Sequence, residues 1–324
     1  MPAADPFSRL TVGVDVGGTK ILAVVVDDRG DVLGSCQAAT PDAAVMLVAS
    51  IGDAVDSAVV DAGEAAAGIP LVSIGLGLPG FLSLDGVARQ APNLPAAVGL
   101  DIGSTLRERF GVPVVVENDA NCAAWAAYRL DAPEARSVVA VTFGTGIGGG
   151  FVVEGELLRG AHGFASEPGH MIVQADGDQC VCGQQGCWEV MASGRGLGRM
   201  ARRAATTGRA PGLLEAAGGD PEQIDGRMVT QLARGGDQHA AEILDTYAWW
   251  VSVGLVNLVN LLDPDVVVLG GGVVADGEVF MSRVRAAVAT HRTFVEGRHT
   301  PIRVSSLGPR AGAVGAALLA RRVV

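Results

Sequence analysis

Three cysteines and one histidine, His170, Cys180, Cys182 and Cys187, fall within one short stretch of the chain. A Cys3His set is the composition of a structural zinc site. Cys180 and Cys182 are two apart, so extended backbone turns both thiols to one side. Gly183 and Gly186 supply the reversal that returns Cys187 to the same point. Thiolates bind Zn2+ as anions, and His170 binds as neutral imidazole through one ring nitrogen, leaving the other for a ligand or a further acceptor. A disulfide or three unrelated buried thiols would use the same residues, but a Cys-x-Cys bridge is strained. The chain also reads as cytoplasmic, where thiols stay reduced. Glu167 and Glu189 bracket the cluster, so a metal-pinned loop would present two carboxylates.

Two glycine turns carry a second kind of chemistry. A strand over 11–16 meets Gly17-Gly18-Thr19-Lys20 and a second strand over 21–26. A strand over 138–143 likewise meets Gly144-Thr145-Gly146 and another apolar run. Residues 12–19 and 139–146 share one rhythm, which reads as a single supersecondary unit used twice. Such turns aim backbone N–H groups into a concavity suited to phosphate, and they equally suit an ordinary tight hairpin. They are neither a P-loop nor a dinucleotide fingerprint, because the lysine spacing is absent and strands, not helices, follow the glycines. Asp15, ending the first strand, is placed to hold Mg2+ directly or through water. Gly270-Gly271-Gly272 lies between a strand over 266–269 and a helical stretch over 276–289. Bare backbone there suits a flat purine, or simply a close-packed turn.

A β-branched strand over 114–116 runs into Glu117-Asn118-Asp119-Ala120-Asn121 and an alanine-rich helix from Ala120 to about Leu130. Asp119 at the helix start reads as a plain N-cap. The carboxyl end of a strand is also where α/β proteins set their chemistry. There Asn118 offers donor and acceptor to a hydroxyl, and Asp119 takes its proton. Phosphoryl transfer asks chiefly for alignment, so an aspartate near its ordinary pKa suffices.

The remaining sequence bounds these readings. At 324 residues the chain suits two domains. A hydrophobic share of 49% against 18% charged residues describes a well-buried globular protein. A net charge of -11 and pI ≈ 4.9 argue against nucleic acid as a partner. No secretory signal pattern opens the chain. The most apolar stretch, 248–262, is broken by Ser252, Asn257 and Asn260, so it predicts a buried helix ending before Asp263-Pro264 and no membrane span. Cys36 and Cys122 read as inert core thiols, and Trp249-Trp250 as helix packing or a subunit contact. His162, His239, His291 and His299 show no partner pattern, while Arg107, Arg109, Arg202 and Arg203 read as solvated helix faces. Lys20 is the only lysine.

Taken together the motifs resemble the ROK family (repressors, open reading frames and kinases), close to its bacterial glucokinases. The resemblance rests on Asp15-Val16-Gly17-Gly18-Thr19-Lys20, Leu78-Pro79-Gly80, Pro92-Asn93-Leu94, Glu117 to Asn121, Gly144 to Gly150, Glu167-x-Gly169-His170, the cysteine segment through Glu189, and Leu269 to Gly272. It implies an α/β, actin-like ATPase (ribonuclease H-like) two-domain sugar kinase fold closing on ATP and sugar. Residues 1–118 and 306–324 would form the smaller domain, the latter as a returning helix; 119–305 would form the larger domain with its zinc loop. The implied activity is ATP-dependent phosphorylation of glucose at the 6-hydroxyl, with N-acetylglucosamine, N-acetylmannosamine, mannose and fructose as alternative substrates.

Asp119 would be the general base. Gly80, through its backbone, with Asn118, Glu167, His170 and Glu189, would hold the sugar. Asp15, Gly17, Gly18, Thr19, Lys20, Gly144, Thr145, Gly146, Gly270, Gly271 and Gly272 would meet the nucleotide and Mg2+. Homo-oligomers are usual among such relatives, so the resemblance implies a cytoplasmic homodimer or homotetramer. A sugar-responsive repressor shares the core but needs a helix-turn-helix module ahead of it, and only about ten residues precede the first strand here. The chain departs from many relatives at Pro95-Ala96-Ala97-Val98, where a tryptophan is common, and at Pro309-Arg310, where an acid is common.

Overall fold

The computed structural model describes residues 9–27, 29–291 and 299–324. Two compact units share the chain, one running to Val138 and adding Gly150–Ser166 and Pro309–Val324, the other comprising Val139–Gly149 and Glu167–Gly308.

The first unit is built on β1 (Leu10–Val16), β2 (Lys20–Val26), β3 (Val32–Ala39), α1 (Ala44–Ala62), β4 (Leu71–Leu78), a small β5 (Phe81–Leu82) and β6 (Ala88–Gln90) pair, α2 (Ile102–Phe110), β7 (Val114–Asn118) and α3 (Asp119–Ala126). Its sheet has the order β3-β2-β1-β4-β7. β1 runs antiparallel to β2, with Val16 opposite Ile21, and parallel to β4, which runs parallel to β7. β1 and β2 are almost wholly buried, so they read as continuous apolar runs rather than alternating ones.

Next come β8 (Val138–Phe143), β9 (Ile147–Val153), β10 (Glu156–Leu157), α4 (Trp188–Ala192), α5 (Gly194–Thr206), α6 (Pro211–Ala216), α7 (Gly226–Arg234), α8 (Gln238–Leu262), β11 (Val266–Gly270), α9 (Glu278–Thr290), β12 (Ile302–Val304) and α10 (Ala311–Ala320). The second five-stranded sheet has the order β10-β9-β8-β11-β12. In both sheets the first strand of a glycine hairpin is central, its hairpin partner lies to one side and the strand after the crossover to the other. The duplicated rhythm of the sequence is therefore a duplicated topology.

α10 is apolar on every side and buried from Gly312 to Ala320, as a core helix must be. It packs on β1, β4 and α3. Methyl groups at Gly13, Gly75 or Gly315 would overlap the backbone of Ala313, Ala316 or Cys122, so absent side chains admit the helix. In the second unit α8 runs the expected course to Leu262 and stops at Asp263, which is left-handed (φ 49°) before Pro264. It supports α4, since Trp188 Nε1 donates to the Trp250 carbonyl (2.7 Å) and Tyr247 OH to the Ala192 carbonyl (2.8 Å). Among the described residues, no helix is long and apolar enough to cross a membrane.

Two expectations need correction here and one is refined. Arg109 lies on an exposed helix face, as expected, and there pairs with Asp53 (2.8 Å) and Asp56 (2.6 Å) of α1. Arg202 donates to the Ile224 carbonyl (2.8 Å). His291 does have partners, with its Nε2 3.0 Å from Ser252 Oγ and its ring stacked on Trp249 at 4.7 Å.

Candidate active site and metal centre

In the first unit, β7 ends beside β4 and delivers Asn118 opposite Leu78. Asn118 caps α3, its Oδ1 accepting from Asn121 N (3.0 Å) while its Nδ2 donates to the Gly80 carbonyl (3.1 Å). The cap is thus Asn118 and not Asp119, because Asn118 keeps the extended backbone that a capping residue needs. Asp119 occupies the first helical position, its Oδ1 accepting from Ala120 N (2.8 Å). Although part of the residue is open to solvent, the atoms crowded about its carboxyl, and then the charge of Asp15, push it up to about 7. An ordinary aspartate pKa would suffice for phosphoryl transfer, and the pKa here is poised near neutrality instead. Burial likewise raises Asp15 to about 6, against the pull of Lys20. Gly312 of α10 lies against the Asp15 carboxyl, where a methyl group would stand 2.9 Å from Cγ.

The strand-to-helix junction has a support that no local pattern announced. Glu117 Oε1 accepts from Asn118 N and Asn121 Nδ2 (both 3.0 Å), and its Oε2 pairs with Arg159 Nε at 2.6 Å. Glu117 is buried, so an unpaired charge there would be costly, and Arg159 supplies the partner. The first glycine turn is held by its own main chain, Gly17 N to Lys20 O (2.8 Å), and by Thr40, whose Oγ1 donates to Gly17 O (2.7 Å) and whose N donates to Thr19 O (3.1 Å). A methyl group at Gly18 would overlap the Asn93 carbonyl, so close backbone packing alone explains that glycine. Thr19 and Lys20 are exposed.

In the second unit, two of the predicted nucleotide segments come together. Val273 N donates to the Phe143 carbonyl (3.1 Å), which Gly271 also approaches, so Gly270–Gly272 and Gly144–Gly146 converge on one strand end. Methyl groups at Gly144 and Gly272 would meet nothing within 4 Å. No packing among the described residues explains these two glycines, and the open backbone fits a ligand lying against it. Thr145 is exposed between them in sequence.

The metal-ligand set is assembled. One ligand atom from each of His170, Cys180, Cys182 and Cys187 lies within 4.8 Å of every other. Cys182 and Cys187 sulfurs are 3.7 Å apart, and Cys180 Sγ is 3.9 Å from His170 Nδ1. Tetrahedral zinc with bonds of about 2.3 Å requires sulfurs about 3.8 Å apart, so these donors fit. Nδ1 faces the thiols, which makes Nε2 the nitrogen left for another partner. Burial first, then the neighbouring Cys182 and Cys180, push the Cys187 thiol up to about 12, so metal binding must displace its proton. Glu189 follows within α4, and its Oε2 accepts from Ile147 N at 2.9 Å. Glu167 precedes the short turn Pro168–His170.

A family model described as "ROK family" matches residues 11–323. The chain belongs to the ROK family. A glucokinase of Streptomyces coelicolor is 38% identical over 323 residues, covering 96% of this chain and 98% of the relative. An N-acetylmannosamine kinase of Citrobacter koseri is 31% identical, covering 96% and 98%. The crystal structure of a ROK family glucokinase from Streptomyces griseus, in complex with glucose and AMPPNP, superposes with TM-score 0.81 at 39% identity, covering 97% of this chain and 99% of that one. The fold of this ROK protein is accordingly the actin-like ATPase fold of sugar kinases.

Proposed function

We propose that this ROK protein transfers the terminal phosphoryl group of ATP to the 6-hydroxyl of glucose. The observation that carries the reading is Asp119: relieved of capping by Asn118, it bears a carboxyl whose pKa of about 7 suits a general base at neutral pH. The similarity to glucokinases supports glucose as the acceptor.

In this reading Asp119 accepts the 6-hydroxyl proton as that oxygen bonds to the γ-phosphorus. The bond from phosphorus to the bridging oxygen breaks, and ADP leaves with its electron pair. Asn118 has little freedom, because its amide is shared between the cap and the Gly80 carbonyl, so it fixes the direction of the strand end. Glu167, Glu189 and His170 Nε2 offer acceptors and a donor to the other sugar hydroxyls, which need paired partners when buried. His170, Cys180, Cys182 and Cys187 would hold zinc, which would serve as a staple and not as a substrate site. Asp15 would hold Mg2+, directly or through water, and the ion would supply charge neutralisation for the phosphates. Gly17–Lys20, Gly144–Gly146 and Gly270–Gly272 would carry the nucleotide. Free thiols in the metal set suit the cytoplasm, and a homodimer or homotetramer belongs to the same proposal.

The N-acetylmannosamine kinase relative favours one second reading, an N-acetylated hexose in the same role. Phosphate transfer from ATP to glucose, mannose, fructose and the two N-acetylated sugars decides between them. Glucose is expected to give the highest kcat/KM; a preference of tenfold or more for another sugar overturns the choice of glucose.

A further inference from the structure

The second glycine turn is tied to the metal loop from both of that loop's ends. Before the cysteines, Gly169 lies against the Ile147 carbonyl and Pro168 against Gly149. After them, Glu189 Oε2 accepts from Ile147 N (2.9 Å), and a methyl group at Gly146 would overlap that same oxygen. The chain then continues through α4 to Gly194, whose N donates to the Gly144 carbonyl (2.8 Å). One carboxylate, drawn from the residues assigned above to the sugar, is thus built into the wall of a turn assigned to the nucleotide.

We propose that Glu189 is a positioning residue for the nucleotide turn as well as a sugar ligand, so that the two substrates are coupled through its two oxygens. This rests on the kinase reading given above. Oε2 is committed to Ile147 N, and Oε1 is the oxygen left for a hydroxyl. A hydroxyl on Oε1 fixes the plane of the carboxylate and with it the hydrogen bond that shapes Gly144–Gly146. Nucleotide then meets a turn already ordered, and its binding loses less conformational freedom. Reciprocity requires nucleotide to tighten sugar by the same factor.

The test measures dissociation constants for Mg·AMPPNP, with and without glucose, in the wild-type chain, Glu189→Gln and Glu189→Ala. Glutamine keeps one oxygen to accept from Ile147 N, whereas alanine keeps none. Without glucose, Glu189→Gln is expected to bind AMPPNP within about twofold of wild type, and Glu189→Ala about fivefold or more weaker, a shift of about 1 kcal/mol. Glucose is expected to tighten AMPPNP in the wild type and to lose that effect in both variants. Equal AMPPNP affinity in wild type and Glu189→Ala without sugar overturns the proposal, as does a glutamine variant as weak as the alanine one. Should Glu189→Ala fail to fold, Gly146→Ala replaces it, since its methyl group displaces the carboxylate. Glucose affinity measured by tryptophan fluorescence without nucleotide is then expected to fall about fivefold, and an unchanged value overturns the tether. A wild-type chain that binds AMPPNP yet phosphorylates no hexose would refute the kinase reading while leaving the tether measurable.

Discussion

The β1–β2 turn and the β8–β9 turn occupy the same place in two sheets of one strand order, yet their surroundings differ. Asp15 stands two residues before Gly17, whereas the matching position before Gly144 is Thr142. The first turn is held by its own main chain and the Thr40 hydroxyl, and it lies on the unit that carries both raised carboxyls, Asp15 and Asp119. The second has an internal bond of the same kind, Gly144 N to Gly146 O (3.0 Å), but its outside supports are a distant carboxylate and main-chain bonds from Gly194 and Val273, beside open glycines and the candidate metal ligands. Repetition of a topology thus decides where a turn lies, while later contacts decide its work. On the function proposed above, proton chemistry would gather on one copy and recognition on the other.

The sharpest way to break this division is Asp119→Asn. It is expected to lower kcat about 10²–10⁴-fold, followed by ADP release, while the hexose still binds. Turnover within tenfold of wild type would remove the base from the first unit. On the other side, metal analysis is expected to give about one zinc per chain for the wild type and none for Cys187→Ser. Hydrogen exchange should then rise over residues 168–194 but not over β1 and β4; a loss of protection in both would show that the staple serves the whole chain.

Glycines sharpen the contrast further. Gly144→Ala meets open space, so stability should stay within about 0.5 kcal/mol while the KM for ATP rises about tenfold. Gly18→Ala meets the Asn93 backbone and should cost about 1–3 kcal/mol in a denaturant melt. The reverse pattern would mean that packing and ligand roles have been exchanged between the turns.

Acidity gives a milder test. As the proposed base, Asp119 would work only when ionised, so kcat/KM should fall about tenfold per pH unit below about 7. For stability the sign is opposite. A carboxyl raised on folding stays protonated in the native state after the unfolded chain has released its proton, so stability declines as pH climbs from about 4 to about 7. Asp119→Asn should therefore raise Tm at pH 8 and change it little at pH 4; the same gain at both would assign the effect to packing.

Much of the site was legible because its signals are local. Four ligands and two glycines within one stretch announced the metal loop, β-branched runs announced the strands, and Asp263-Pro264 announced the end of α8. What stayed hidden depends on partners far along the chain. Glu117 meets Arg159, and Ile147 meets Glu189, each across 42 residues. The high pKa of Asp119 comes from crowding and from Asp15, which belongs to another strand. Even the choice between Asn118 and Asp119 as cap turned on where the strand stopped, and composition does not fix such boundaries.

One consequence follows from Lys20, the single lysine, which is exposed where β2 leaves the first turn. An amine-directed dye has just one side chain to modify in the entire molecule. Attached there, it would sit beside Asp15, and on the proposal that this turn takes the nucleotide its emission should change on binding, without any engineered cysteine to compete with the thiols of the metal set.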